Sequence, residues 1–209
     1  SLWRGTWPSG EPFTTTVFQV GGIGARATKD GLSATGFPSG VAGVPAEVIE
    51  TLAPLIQYKR ELRTDSGGAG TFRGGLGQLS EMGYRGIGPW SVSAMIDRTL
   101  FAAPGIEGGK PGTLGEFMAD GTKRLQPKTV IWFDPETHVN LNPPGGGGYG
   151  DPRQRDPEMV RADVHDRRAV LIGHVDEIVS RAAYRTDAVH VGARPQEDRH
   201  QPASDVGQP

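Results

Sequence analysis

The sequence predicts an α+β fold dominated by β structure: glycine-rich antiparallel strands, a short helix and a disordered C-terminal tail. Three observations carry this. The chain of 209 residues holds 32 glycines and 17 prolines, far above ordinary usage, so it must turn often. Several segments alternate polar and apolar residues with period two, whereas helical spacing is clearest in one short stretch. From residue 151 onward the composition shifts, with glycine almost gone and nine of the seventeen arginines present.

Composition also excludes several classes of function. A net charge of −2 recommends neither a nucleic-acid nor a membrane-surface partner. The absence of cysteine removes disulfides, thiolate metal sites and a cysteine nucleophile together. No apolar run has the length of a membrane span, and the N-terminus lacks a secretory pattern. A cytoplasmic protein is expected. The chain opens at Ser1 without a methionine and reads as a piece of something longer.

Taken in order, Phe13 to Val20 is rich in β-branched and aromatic residues and ends on Gly21-Gly22, a strand into a tight turn. The following Gly22-x-Gly24-x-x-Ala27 loosely matches a dinucleotide fingerprint. It fails on context, because Thr28-Lys29-Asp30-Gly31 turns again where a helix would have to open. Residues 36 to 43 read as an irregular loop. Pro45 at a helix start, Glu47 in the first turn and apolar Val48, Leu52 and Leu55 predict a short helix ending near Pro54, and Ile56 to Arg60 predicts a strand.

Gln78 to Arg85 and Trp90 to Arg98 alternate with period two around Gly86-Ile87-Gly88-Pro89, so they read as an antiparallel hairpin. Gly105 to Gly112 is a turn-rich loop, in which Lys110 reads as a solvated side chain. Gly115 to Gly121 and Thr129 to Phe133 add strands with an Asp-Gly turn between them. Farther on, Asp176 to Tyr184 reads as a helix. Beyond Arg185 few apolar and many charged residues predict disorder.

The chemistry-bearing candidates are two glycine runs. The stretch from Arg60 to Gly77 packs six glycines, three arginines and two acids into eighteen residues, too much glycine for a regular element and too much charge for a linker. Glycine there implies positive φ or close main-chain approach. Arg63 and Arg73 either grip an anion bidentately or lock the loop through Asp65, and Gly67, Gly68 and Gly70 are the candidate backbone donors. In the second run, Asn142 to Gly150, four consecutive glycines either pass close to another segment or line an anion nest. No nucleophile elbow, P-loop or zincin motif occurs. His138 stands without a ligand at metal spacing, and the other four histidines lie after residue 164 in a pattern that fits no compact site.

Arg63-x-Asp65-Ser66-Gly67-Gly68-Ala69-Gly70-x-x-Arg73-Gly74-Gly75-x-Gly77 resembles the signature loop of the hydantoinase B family, which includes N-methylhydantoinase and 5-oxoprolinase B components and acetone-type carboxylase subunits. Asn142-Pro143-Pro144-Gly145-Gly146-Gly147-Gly148-Tyr149-Gly150-Asp151-Pro152 with Arg155-Asp156-Pro157-Glu158, and Gly21-Gly22-x-Gly24-Ala25 with Asp30-Gly31, resemble further blocks of that family in the same order. The resemblance covers residues 1–164 and implies the C-terminal portion of such a component. Residues 165–209 depart from it and read as a divergent, flexible tail.

What the resemblance implies is ATP-driven opening of an unactivated cyclic amide, with ketone carboxylation as the alternative and a purely structural or assembly role as a third reading. It implies an A-type partner that binds ATP with Mg2+, the remainder of the B component as a second partner, and a lactam or ketone substrate. Family metal ligands are expected in the N-terminal part of B, so no metal ligand is assigned to these residues, and the segment is expected to be inactive alone.

Overall fold

A computed structural model, which describes residues 1–36 and 43–169, places nine strands, several separated by long loops, within the first 142 positions. In chain order these are β1 (Leu2–Thr6), β2 (Pro12–Thr16), helix α1 (Ala46–Leu52), β3 (Leu55–Leu62), β4 (Gln78–Tyr84), β5 (Trp90–Ser93), β6 (Glu116–Ala119), β7 (Lys123–Arg124), β8 (Val130–Phe133) and β9 (Val139–Asn142). A 3₁₀ turn, Pro152–Gln154, and helix α2 (Pro157–His165) follow. One sheet runs β2-β1-β5-β8 and the other β3-β4-β9-β6-β7, and every pairing is antiparallel.

The two sheets share one apolar core. Trp3, Trp90, Val92 and Phe133 come from the first sheet; Leu55, Met82, Tyr84, Phe117 and Leu141 come from the second. Strand alternation selects them, since successive side chains of a strand point to opposite faces. Trp3 and Trp90 stack with ring centroids 5.6 Å apart, and Tyr84 stacks on Trp90 at 5.3 Å. Tyr84 also ties the sheets through its hydroxyl, which accepts from the Thr6 amide at 2.8 Å and lies 2.6 Å from the Thr6 carbonyl.

The expected hairpin between Gln78–Arg85 and Trp90–Arg98 does not form. β4 and β5 lie in different sheets, because the largely exposed Gly86–Pro89 connection passes over the edge of the core from one sheet to the other instead of reversing along one sheet. Arg85 N donates to the Pro54 carbonyl, Ile87 N donates to the Thr6 carbonyl, and Gly88 takes φ +66°, so each end of the crossover is fastened to a different sheet. The Asp-Gly turn is real, with Asp120 at φ 50° and Gly121 at φ 68°, the signs of a tight hairpin turn. It joins β6 to the two-residue β7, however, and Thr129–Phe133 supplies β8 of the opposite sheet.

The helix expected near residues 45–54 is α1, opened by Pro45 and burying Ile49. β3 runs longer than the Ile56–Arg60 segment, and the strand expected at Phe13–Val20 ends at Thr16. The loop at 36–43 falls largely, and the helix at 176–184 and the tail beyond 185 wholly, outside the described residues. Among the described residues no helix is long and apolar enough to cross a membrane.

Candidate functional site

Between β3 and β4 the signature loop carries no regular structure, yet it is among the most buried parts of the chain. It packs against three other glycine-bearing segments, around residues 21–25, 103–112 and 143–150, main chain against main chain. Gly68 N donates to Gly146 O at 2.8 Å, Gly146 N to Gly75 O at 2.9 Å, Gly75 N to Ile23 O at 2.8 Å and Gly148 N to Lys110 O at 2.9 Å. The second glycine run is the axis of this bundle. A Cβ on Gly145 would strike the Ser66 carbonyl, one on Gly146 the Ile23 carbonyl, one on Gly147 the Pro104 carbonyl, and one on Gly148 the Ala69 carbonyl.

Gly145 and Gly148, three residues apart, therefore face the same neighbouring segment, while Gly146 and Gly147 face two others. A turn of about three residues is the polyproline II repeat, and a crowded axis admits only glycine there. The facing segments follow the same spacing, with Gly109 and Gly112 against Gly148 and Gly145, and Gly74 and Gly77 against Gly146 and Pro143. Close approach, not positive φ, is what these glycines supply: across residues 67–77 and 143–150, Gly150 alone sits at positive φ. Asp65, just before the glycines, does so too, at φ 57°.

The arginines of the loop are engaged by carboxylates. Arg73 is buried, with Nε 3.2 Å from Asp163 Oδ2, Nη2 3.9 Å from Asp30 Oδ2 and Nη1 donating to the Gly74 carbonyl at 2.7 Å. Arg155 forks onto Asp30, Nη1 to Oδ1 and Nη2 to Oδ2 at 2.8 Å each, and also reaches Asp163 Oδ2 at 2.7 Å. Two cations and two carboxylates thus clamp the loop to the start of the chain and to α2. Burial pushes the Asp30 carboxyl up, but the hydrogen bonds and charge of Arg155, with the amide and charge of Arg73, outweigh it and hold the group below its ordinary range. Burial likewise disfavours the Arg155 cation, and Asp30 and Asp163 reverse this, leaving its pKa raised.

Arg63 points elsewhere. Its Nη1 donates to the Leu114 carbonyl at 2.8 Å and its Nη2 lies 3.1 Å from Glu116 Oε2, so it fastens the loop to β6. Asp65 N donates to the Arg168 carbonyl at 3.0 Å. Of the loop residues named from sequence, Gly68, Gly70 and Arg73 are buried in the bundle, Arg63 and Gly67 are half-buried, and Asp65 is exposed, with Arg63 and Arg73 serving different ends of the loop. Sequence reasoning missed Asp30, Arg155 and Asp163 as partners. Asp30 and Arg155 did stand in the family-like blocks, but no spacing rule joins residues 125 positions apart.

The family profile described as hydantoinase B/oxoprolinase matches residues 2–152. The chain belongs to this family. It is 31% identical over 153 residues to the putative D-/L-hydantoinase B subunit of Pseudomonas sp., a match covering 70% of this chain and 26% of that protein. It is 35% identical over 160 residues to the beta subunit of caprolactamase from Pseudomonas jessenii, covering 70% of this chain and 27% of that protein. Its fold superposes on a nucleotide-free structure of acetone carboxylase, from work on ATP-dependent acetone carboxylation, with a TM-score of 0.73 and 22% identity, over 92% of this chain and 33% of that one. This hydantoinase B-type chain thus spans about a quarter of the length of the two relatives.

In the hydantoinase B-type bundle the N–H groups of Gly68, Gly74, Gly75, Gly146, Gly148 and Gly150 donate to carbonyls and that of Gly77 to Ser66 Oγ; of the candidate donors Gly67, Gly68 and Gly70, Gly68 is the one so committed among the described residues. The open space beside it is a cleft of about 860 Å³, floored by Gly21, Gly22, Gly145 and Gly146 and walled by Phe18, Gln19, Met95 and Arg98. Among the described residues no three of histidine, aspartate and glutamate gather as a metal site. His138 instead stacks on Tyr58 at 4.5 Å, its Nδ1 lying 2.8 Å from Glu81 Oε1.

Proposed function

We propose that this chain is part of the B component of an ATP-dependent cyclic-amide hydrolase of the cytoplasm, which opens a hydantoin, 5-oxoproline or related lactam together with an A-type partner. The family match over residues 2–152 carries this reading. Phosphoryl transfer from ATP to the amide oxygen makes the ring carbon electrophilic; water attacks it, the C–N bond breaks with the nitrogen taking up a proton, and a second water releases the phosphoryl group as inorganic phosphate, which is the role this reading gives ATP. We assign ATP and Mg2+ to the A-type partner. The donation of the Gly68, Gly146 and Gly148 N–H groups to carbonyls supports that assignment.

Within that enzyme the loop bearing Arg63, Asp65, Gly67, Gly68, Gly70 and Arg73 serves as a rigid support at the edge of the substrate site. Arg73 acts as a positioning residue through Asp30 and Asp163. A second reading, part of a ketone carboxylase, rests on the fold shared with acetone carboxylase.

The test is ATP consumption by this chain reassembled with the remainder of a B-type protein and an A-type partner, supplied with lactams or with ketones. Lactam-dependent consumption indifferent to bicarbonate is expected. Consumption that needs both a ketone and bicarbonate would replace the first reading with the second, and none with either substrate class would reject both.

A further inference from the structure

Two large apolar side chains left in water line one concavity of this molecule, and two more lie on a loop that joins two of its lining residues. Phe18 and Met95, 58% and 66% exposed, stand on the wall of the 860 Å³ cleft. Leu100 and Phe101, 80% and 81% exposed, occupy the loop that leads from Arg98 to Ala103, both of which line the same cleft. Scattered exposed leucines are ordinary on a protein surface, but a cluster beside a concavity marks an interaction site.

Charge at this cleft is sparse. Asp97 is paired with Lys128 Nζ at 2.6 Å, and Arg98, whose Nη1 turns back towards the Ala102 carbonyl at 3.5 Å, keeps its guanidinium charge. The cleft therefore offers a peptide floor, a paired aspartate, an arginine and apolar side chains. That combination fits a protein surface, as interface cores are depleted in charge and enriched in aromatic residues and methionine.

Length identifies the occupant. The chain corresponds to 26% and 27% of its two relatives, so roughly three quarters of a B-type protein has no counterpart here and must meet this portion somewhere. We propose that the cleft lined by Phe18 and Met95, together with the loop carrying Leu100 and Phe101 between its lining residues Arg98 and Ala103, is the surface on which that remainder docks. This rests on the B-component reading, and it names the partner-facing side of the chain.

The probe is the beta subunit of the Pseudomonas jessenii caprolactamase with the region matching this chain deleted, and its own excised region serves as the positive control. Sedimentation velocity should show a one-to-one complex of the probe with this chain. Phe18→Ser combined with Met95→Ser should weaken it by about tenfold or more, as loss of interface anchors does, and so should the single Phe101→Ser, whose exposed side chain is not needed for folding. Trp132→Ser, at an exposed aromatic on β8, should leave binding unchanged.

The proposal is overturned if the control region binds the probe and this chain does not, if the Phe18, Met95 and Phe101 variants bind like wild type, or if the same variants split a homodimer of this chain instead. Binding is read here without turnover. A complex that assembles but, once joined by an A-type partner and supplied with lactams, consumes no ATP would sink the hydrolase reading and leave the docking surface standing.

Discussion

Asp163 accepts from both buried arginines, Arg73 and Arg155, and is itself only 4% exposed. Deleting one member of such a cluster leaves charge buried without its counter-charge, which costs about 3–5 kcal/mol. Asp163→Ala should therefore consume much of the stability of a domain of this size, read as the shift in urea midpoint at constant slope. Asp30 gives the pH signature. Its carboxyl is held below the ordinary value near 3.8 by Arg155 and Arg73 against the burial that opposes them. The stabilisation it gives is thus fully present above that ordinary value and is lost as pH falls through the lowered one. Acid titration of Asp30→Asn should lack this component, so the stability gap between wild type and variant should narrow towards low pH.

At the level of elements, sequence patterns told which stretches form strands far better than which strands pair. Pro45 and Glu47 placed α1, although it buries Ile49 and leaves Val48 and Leu52 exposed and Leu55 opens β3; alternation placed β4 and β5, and β6 and β8 fell within the other two segments read as strands. Period two is the same whether a strand pairs with its neighbour in sequence or with one across the core. The hairpin reading of Gln78–Arg98 failed for that reason, and Asp120-Gly121 was a true turn joined to the wrong partner. The clamp was illegible because charge pairs 90 and 125 residues apart leave no local trace. The glycine runs were legible as unusual, but their three-residue repeat appears only when the facing segments are known. Gly147→Ala should abolish folding or cost more than about 4 kcal/mol, since its Cβ would meet the Pro104 carbonyl and no flexible side chain can give way. Gly10→Ala, in open space at φ +91°, should cost only about 1–2 kcal/mol for its left-handed backbone. Thermal melting of the pair separates crowding from backbone strain.

For the molecule as a whole, the sandwich is cross-tied by single groups. The Tyr84 hydroxyl on β4 bonds to both main-chain groups of Thr6 on β1 and to the Ile87 carbonyl at 3.0 Å. Tyr84→Phe keeps the ring stack and removes these bonds, so a loss of about 1–3 kcal/mol is expected, visible as a lower melting temperature without loss of the near-ultraviolet signal from Trp3 and Trp90. Beside that hydrocarbon core lies a second interior made of peptide groups, the glycine bundle. Exposing hydrocarbon to water raises heat capacity, whereas exposing amides lowers it. Unfolding this protein should consequently show a heat-capacity increment per residue below the usual ~12–15 cal/mol/K. By scanning calorimetry its stability would then vary less with temperature, in the cold as well as in the heat, than that of an oil-cored protein of equal length.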